Sequence, residues 1–309
     1  MSSLPPAHGA QHLMPVIFEE TGAVRRNAPS DALFPSLEEL LIGSKDKLEG
    51  KTVLVTGAAQ GLGLAAAKVV VKKGARVVVS DANGEGLKEA EEELRKIGKG
   101  EVTSLKADVS SWMEQVALFR HAVDTMGPIS FVIANAGCID GKPLLDEEED
   151  ENGEPKARLL PCLSLSALQI HRSTPAKLAF YHLRRNPDAE HKSLVLIGSI
   201  ASLFGLPTQP LYSASKAAVL NLGRALSYEG ESSGINVNVV LPWITPTPIF
   251  GAYEEALKAV KQGKVGDVAA AMIGALTTDK TGLTYVTDPE GVIVLPLKPK
   301  AYLTVEETK

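Results

Sequence analysis

From Thr52 to Ala134 short apolar runs alternate with helix-length segments, and this alternation restricts the fold more than any other feature of the chain. Thr52-Val53-Leu54-Val55-Thr56 is apolar and ends in a glycine turn, after which Gly63 to Lys73 carries a helical pattern. Ala75 to Ser80 is a second β-branched run, followed by Asp81 and a charged helical segment from Gly86 to Gly98. Val102 to Ala107 reads as a third strand, Trp112 to Met126 as a third helix and Ile129 to Ala134 as a fourth strand. A strand with one wet face alternates apolar and polar residues, whereas a strand covered on both faces is apolar throughout. Runs of the second kind, interleaved with helices, predict a parallel sheet with helices on both sides. The expected fold class is α/β, a doubly wound, Rossmann-type parallel sheet of about seven strands in a single domain.

After Ala134 the rhythm breaks. Asp146 to Glu151 is an unbroken acidic run, followed by Asn152-Gly153-Glu154-Pro155. Like charges in a block repel one another and read as a solvated loop. The alternation resumes with a helix from Leu163 to Leu183, with Pro175 as a candidate kink. A strand at Leu194–Ile197, a helix spanning Tyr212 to Tyr228, a strand at Ile235–Leu241, a helix at Asp267–Leu276 and a strand at Gly282–Val286 complete the reading. Residues 1–50 stand apart as an N-terminal extension before the main unit, residues 51–309. The extension is rich in Pro, Ala and polar residues and has no sustained period, so much of it is expected to be disordered or draped. Within it, Ser36 to Ile42 predicts a short docked helix with Ser36 as its N-cap.

Composition excludes several classes. With 309 residues, a net charge of −5 and 44% hydrophobic content, the chain can bury a core and offers no basic stripe for nucleic acid. No stretch approaches the ~20 apolar residues of a membrane span. The N-terminus lacks the basic and apolar regions of a secretory signal. Cys138 and Cys162 fit no disulfide or metal framework. The expectation is a cytoplasmic enzyme with no metal, no membrane and no nucleic acid partner.

The first strand opens into Thr56-Gly57-Ala58-Ala59-Gln60-Gly61-Leu62-Gly63. Gly57, Gly61 and Gly63 let the backbone turn tightly and approach a pyrophosphate, while Gln60 and Leu62 fill the turn between them. The N–H groups and dipole at the start of the following helix favour that anion. Asp81 ends the second strand, where a carboxylate can accept hydrogen bonds from the adenosine ribose hydroxyls and repel a 2′-phosphate. The turn itself holds no Arg or Lys, so NAD is expected ahead of NADP. The competing reading makes Asp81 a loop acid that caps the next helix.

Tyr212 and Lys216 lie at i and i+4, on one face of one helix. A phenol is a poor base at neutral pH because its ordinary pKa is ~10, and a nearby ammonium stabilises the phenolate. Such a tyrosine can exchange a proton with an alcohol or carbonyl while a nicotinamide exchanges a hydride.

The glycine turn, Asp81 and the Tyr/Lys pair together resemble the short-chain dehydrogenase/reductase family, over roughly Lys51 to Leu295. The resemblance implies further roles. Ser199, in Ile197-Gly198-Ser199-Ile200-Ala201, matches the catalytic serine, with Ser202 a neighbouring hydroxyl. Tyr212 is then the acid/base, and Lys216 tunes it and holds the nicotinamide ribose. Asp108-Val109 resembles the pair that borders the adenine, and Asn135-Ala136-Gly137 the element that stabilises the sheet and lines the ribose site. Thr245 sits where a main-chain contact to the carboxamide is expected, and Thr247 matches a threonine at the nicotinamide end. Two departures stand out. The family places an Asn on the helix after strand four, where this chain offers only Ser164, Ser166 or His171. The family also has Pro-Gly after strand six, where this chain has Pro242-Trp243; the indole would either narrow the pocket or cover the core. The C-terminal half is similar to 15-hydroxyprostaglandin-dehydrogenase-like members, including those of fungal secondary metabolism. The implied activity is NAD(P)-dependent oxidation of a secondary alcohol or reduction of a ketone, in a homodimer or homotetramer paired through the helices after strands four and five. The alternative is a dinucleotide-binding scaffold or redox sensor with little turnover.

Overall fold

The computed structural model describes residues 32–139, 175–187, 190–206, 209–249 and 260–296. The acidic run, Cys162 and the start of the helix predicted from Leu163 lie outside them. The strands are β1 Thr52–Thr56, β2 Arg76–Asp81, β3 Val102–Lys106, β4 Ile129–Ala134, β5 Ser193–Ile197, β6 Asn236–Leu241, β7 Leu283–Asp288 and β8 Gly291–Pro296. Two short helices, α1 Leu37–Leu41 and α2 Ser44–Leu48, precede β1. α3 Gly61–Lys72, α4 Gly84–Arg95, α5 Trp112–Met126, α6 Pro175–Arg184, α7 Pro210–Ser233 and α8 Val265–Thr277 follow in chain order.

The sheet runs in the order β3-β2-β1-β4-β5-β6-β7-β8. Its pairs are parallel up to β7, and β8 alone is antiparallel. The strand order reverses between β1 and β4, so a crevice opens beyond their carboxyl ends. Successive residues feed opposite faces. Val53, Val55, Val77 and Val79 pack with α3, α4 and α8. Leu54, Val78, Val132 and Leu196 pack with α5, α6 and α7. That two-sided burial is why these strands are apolar throughout.

The predicted doubly wound sheet is observed, with eight strands in place of about seven. The added strand, β8, follows Asp288-Pro289-Glu290-Gly291, a turn in which the Glu290 N–H donates to Asp288 Oδ1 at 2.7 Å. Pro175 is the first described residue of α6, and the segment before it, where a kink would show, lies outside the described residues.

The segment from residue 32 to 48 is docked on the domain. Ser36 forms a reciprocal capping box with Glu39, its hydroxyl accepting from the Glu39 N–H at 3.2 Å while the Ser36 N–H donates to Glu39 Oε2 at 2.7 Å. α2 was not foreseen in the sequence; Gly43, at φ 68°, reverses the chain before it. Lys47 Nζ donates to the Thr277 carbonyl at the end of α8 (2.8 Å) and pairs with Asp279. Leu33 exchanges two backbone hydrogen bonds with Val294 of β8, at 2.9 and 2.8 Å.

Candidate active site

Three strand ends build one end of the crevice. The turn after β1 is fastened to β2, for the Ala58 N–H donates to the Ser80 carbonyl (3.1 Å) and the Ala59 N–H to Asp81 Oδ2 (3.1 Å). It is fastened to β4 by Asn135, whose Nδ2 donates to the Thr56 and Gly57 carbonyls at 3.0 and 2.9 Å. The backbone N–H groups of Asn135 and Ala136 both donate to Thr56 Oγ1 at 3.2 Å. Glycine is required by this closeness. A Cβ on Gly63 would lie 2.2 Å from the Gly57 carbonyl oxygen and 2.6 Å from Asn135 Nδ2, and Gly57 itself has φ +66°.

The residues fit a dinucleotide. No side chain caps α3, so the first N–H groups of that helix, around Gly61, Leu62 and Gly63, face the crevice with a favourable dipole. Gln60 is the extended N-cap residue. Opposite the turn, Thr247 presents its Cβ and methyl 3.5 Å from where a Cβ on Gly61 would be, leaving a slot whose floor is backbone. Asp81 is half-buried, with one oxygen on Ala59 and the other on the Asn83 N–H (2.9 Å). Asn83, not Asp81, caps α4, accepting from the Gly86 N–H at 3.2 Å. Two bonds leave a carboxylate with lone pairs to spare. Val109 is buried and its carbonyl accepts from Gln115 Nε2 at 2.6 Å. Asp108 accepts from the Ser110 N–H at 2.8 Å. This pair therefore forms a fixed wall after β3.

The other end of the crevice is built by β5 and α7. α7 lies tight against β6, for a Cβ on Gly223 would be 2.2 Å from Val239 Cγ2. That contact holds Tyr212 and Lys216 at the carboxyl edge of the sheet. Lys216 is only 7% exposed. Its ammonium donates to the Ile197 carbonyl at 3.1 Å and stands 5.7 Å from the centroid of the Tyr212 ring. It also borders Gly137, where a Cβ would be 3.5 Å from Nζ. The structure thus brings the element after β4 against the lysine of α7. Ser199 is buried, and its hydroxyl accepts from the Ala201 N–H at 3.2 Å in a 3₁₀ turn, Ile200–Ser202. Ser202 is committed to the scaffold, because its hydroxyl accepts from the Ser199 N–H (3.2 Å) and donates to the Lys216 carbonyl (2.8 Å). The sequence favoured Ser199 over Ser202, and these partners accord with that choice.

The segment after β6 resolves one departure. Trp243 is 2% exposed and belongs to the core. Its Nε1 donates to the Lys261 carbonyl at 2.8 Å, and its backbone N–H donates to the Thr287 carbonyl at 3.1 Å. The indole covers the core and does not narrow the pocket. Thr245 is buried with its hydroxyl on the Trp243 carbonyl at 2.8 Å, which leaves only its main chain to face the crevice. Ser164, Ser166 and His171 lie outside the described residues. Sequence reasoning missed Thr56, whose hydroxyl clamps the turn to β4; its only signal was its place as the last residue before the glycine.

Residues 51–258 match the short chain dehydrogenase family. A cyclohexanol dehydrogenase of Acinetobacter sp. (strain SE19) is 30% identical over 253 residues, 79% of this chain and 95% of that protein. A 5′-hydroxyaverantin dehydrogenase of Dothistroma septosporum is 29% identical over 285 residues, 80% of this chain and 87% of that protein. A solved structure of a short-chain type dehydrogenase/reductase from Mycobacterium ulcerans superposes with a TM-score of 0.68 at 23% identity, covering 78% of this chain and 89% of that one, a likeness of fold. The chain belongs to the short-chain dehydrogenase family. Its members are oxidoreductases that use a nicotinamide cofactor on small molecules. Among the described residues no helix is long and apolar enough to cross a membrane.

Proposed function

We propose that this protein is an NAD-preferring dehydrogenase or ketone reductase acting on a secondary alcohol/ketone pair, in the cytoplasm. The observation that carries the reading is the buried Lys216 ammonium, held by the Ile197 carbonyl beside the Tyr212 ring. A cation fixed there stabilises a phenolate, which a free tyrosine does not reach at neutral pH. Nicotinamide, when bound, supplies the hydride acceptor or donor. The chain supplies the rest. Tyr212 takes the hydroxyl proton in oxidation and returns it in reduction. Among the described residues Ser199 Oγ accepts one hydrogen bond and donates none, so its proton is available to the substrate oxygen, where charge develops. Asn135, Thr56 and Asp81 hold the turn that positions the cofactor.

The substrate class is supported by the cyclohexanol and hydroxyaverantin dehydrogenases among its relatives. The fungal source of the second accords with a place in secondary metabolism. A homodimer or homotetramer through α6 and α7 belongs to the same reading. The Arg184 guanidinium ties the two helices together through Glu229 and Ser233, while Tyr181 and Tyr228 stay half exposed on their surface.

Tyr212→Phe tests the chemistry. It keeps the ring, so folding and NAD binding should persist while turnover of secondary alcohols falls ~10²-fold or more. A folded variant that keeps most of its activity would overturn the assignment.

A further inference from the structure

Asp81 carries the expected preference for NAD, and the glycine turn holds no cation to oppose it. The sheet register supplies one from elsewhere in the chain. β2 and β3 are parallel neighbours, and Asp81 is the register partner of Lys106. Partners in register project to the same side of a sheet. Here it is the side on which Val79 and Val102 pack beneath α4. Lys106 ends its strand exposed to solvent, and its stem crosses the start of α4. A Cβ on Gly84 would lie 3.1 Å from Lys106 Cδ. Gly84 has no positive φ to require glycine, so what its small size provides is room for that stem. Among the described residues the Lys106 ammonium makes no ion pair or hydrogen bond. A carboxylate and a cation with no such partner among the described residues therefore sit on neighbouring strands, whose backbones lie about 4.8 Å apart, at the ribose end of the crevice.

We propose that Lys106 is a specificity residue that gives this site a measurable affinity for the 2′-phosphate of NADP, in opposition to Asp81. The inference rests on the reading above, in which the adenosine ribose lies at Asp81. Two opposed charges then act on a 2′-phosphate. Asp81 is half-buried and fixed by two backbone donors, so its repulsion is strong and constant. Lys106 is exposed and its attraction is screened by salt. NAD stays preferred, but NADP is discriminated against less than Asp81 alone would dictate.

The test uses calorimetric titration of the protein with 5′-AMP and with 2′,5′-ADP, which differ only by the phosphate in question. Lys106→Gln should weaken 2′,5′-ADP by about fivefold, the order expected of an exposed charge pair, and leave 5′-AMP within about twofold. Lys106→Arg should restore the wild-type ratio, and raising salt should erase the difference between wild type and Lys106→Gln. Asp81→Asn should tighten 2′,5′-ADP, and adding Lys106→Gln to it should undo part of that gain. If 5′-AMP binds normally and the ratio is unchanged by Lys106→Gln in both backgrounds, the role of Lys106 is refuted alone. If wild type binds neither nucleotide, the placement of the cofactor falls, and this inference with it.

Discussion

Gly63→Ala sets two physical effects of opposite sign against each other at the cofactor turn. Gly63 lies in the first turn of α3, and replacing glycine by alanine in a helix is worth up to about 1 kcal/mol in favour of folding. Against this, the new methyl would sit 2.2 Å from the Gly57 carbonyl oxygen and 2.6 Å from Asn135 Nδ2, both more than about 1 Å inside ordinary contact. Neither neighbour is the loose end of a flexible side chain. One is backbone, and the other is held by two hydrogen bonds to Thr56 and Gly57. Overpacking costs about 1–3 kcal/mol. Displacing Asn135 forfeits two further bonds at about 1 kcal/mol each. The clash should win, with a net loss of about 2–4 kcal/mol.

Urea unfolding followed by circular dichroism measures that loss, and nucleotide titration should show weaker NAD binding in the same variant. Gly266→Ala is the matched control. It lies in the first turn of α8, has no positive φ, and a Cβ there meets nothing within 4 Å. The same substitution should then be neutral or stabilise by up to about 1 kcal/mol. A Gly63→Ala protein as stable as wild type, with NAD binding intact, would refute the packing argument for the turn.

Two other outcomes are expected. Burial pushes the Tyr285 hydroxyl up to about 12, above the ordinary ~10 of the unfolded chain. Its neutral form is therefore favoured by folding, and that contribution is complete below pH ~10 and lost as pH rises toward 12. Urea midpoints should fall over that window, and Tyr285→Phe should flatten the fall; an unchanged slope would show that another group governs the alkaline limb. Light scattering at micromolar concentration should give the mass of a dimer or tetramer, and a strictly monomeric mass would exclude pairing through α6 and α7.

Much of the sheet was legible because its strands are buried on two sides. Val53, Leu54 and Val55 admit no alternation, and that pattern survives without any knowledge of tertiary partners. The antiparallel β8 was missed because the parallel rhythm carries no information about a hairpin appended at the edge, although Pro289-Glu290-Gly291 marked the turn. Residues whose task is chemical were legible by spacing along one element, as with Tyr212 and Lys216. Residues whose task depends on register were not. Lys106 is distant in sequence from Asp81 and from the glycine turn, and only the pairing of β2 with β3 makes it their neighbour. The resemblance to the family already picked out Ser199 over Ser202, and the bond from Ser202 to the Lys216 carbonyl adds that the neighbouring hydroxyl is engaged elsewhere.

The replacement of glycine by Trp243 shows how a bulky residue can enter this site without disturbing it. Sequence reasoning weighs such a change as a threat to turnover, since the residue stands between the end of β6 and the nicotinamide contacts. In the fold the side chain turns away from the crevice. Core burial absorbs the indole surface, and the Lys261 carbonyl satisfies its one polar atom, so no unpaired donor is left to oppose folding. The backbone continues on the crevice side. Its carbonyl fixes the Thr245 hydroxyl, and the next turn delivers Thr247 to the slot above Gly61. What the site requires at this point is a main-chain path, and a tryptophan anchored in the core defines that path more rigidly than glycine would. Trp243 thus removes one argument for a scaffold, because its indole lies in the core and does not fill the crevice.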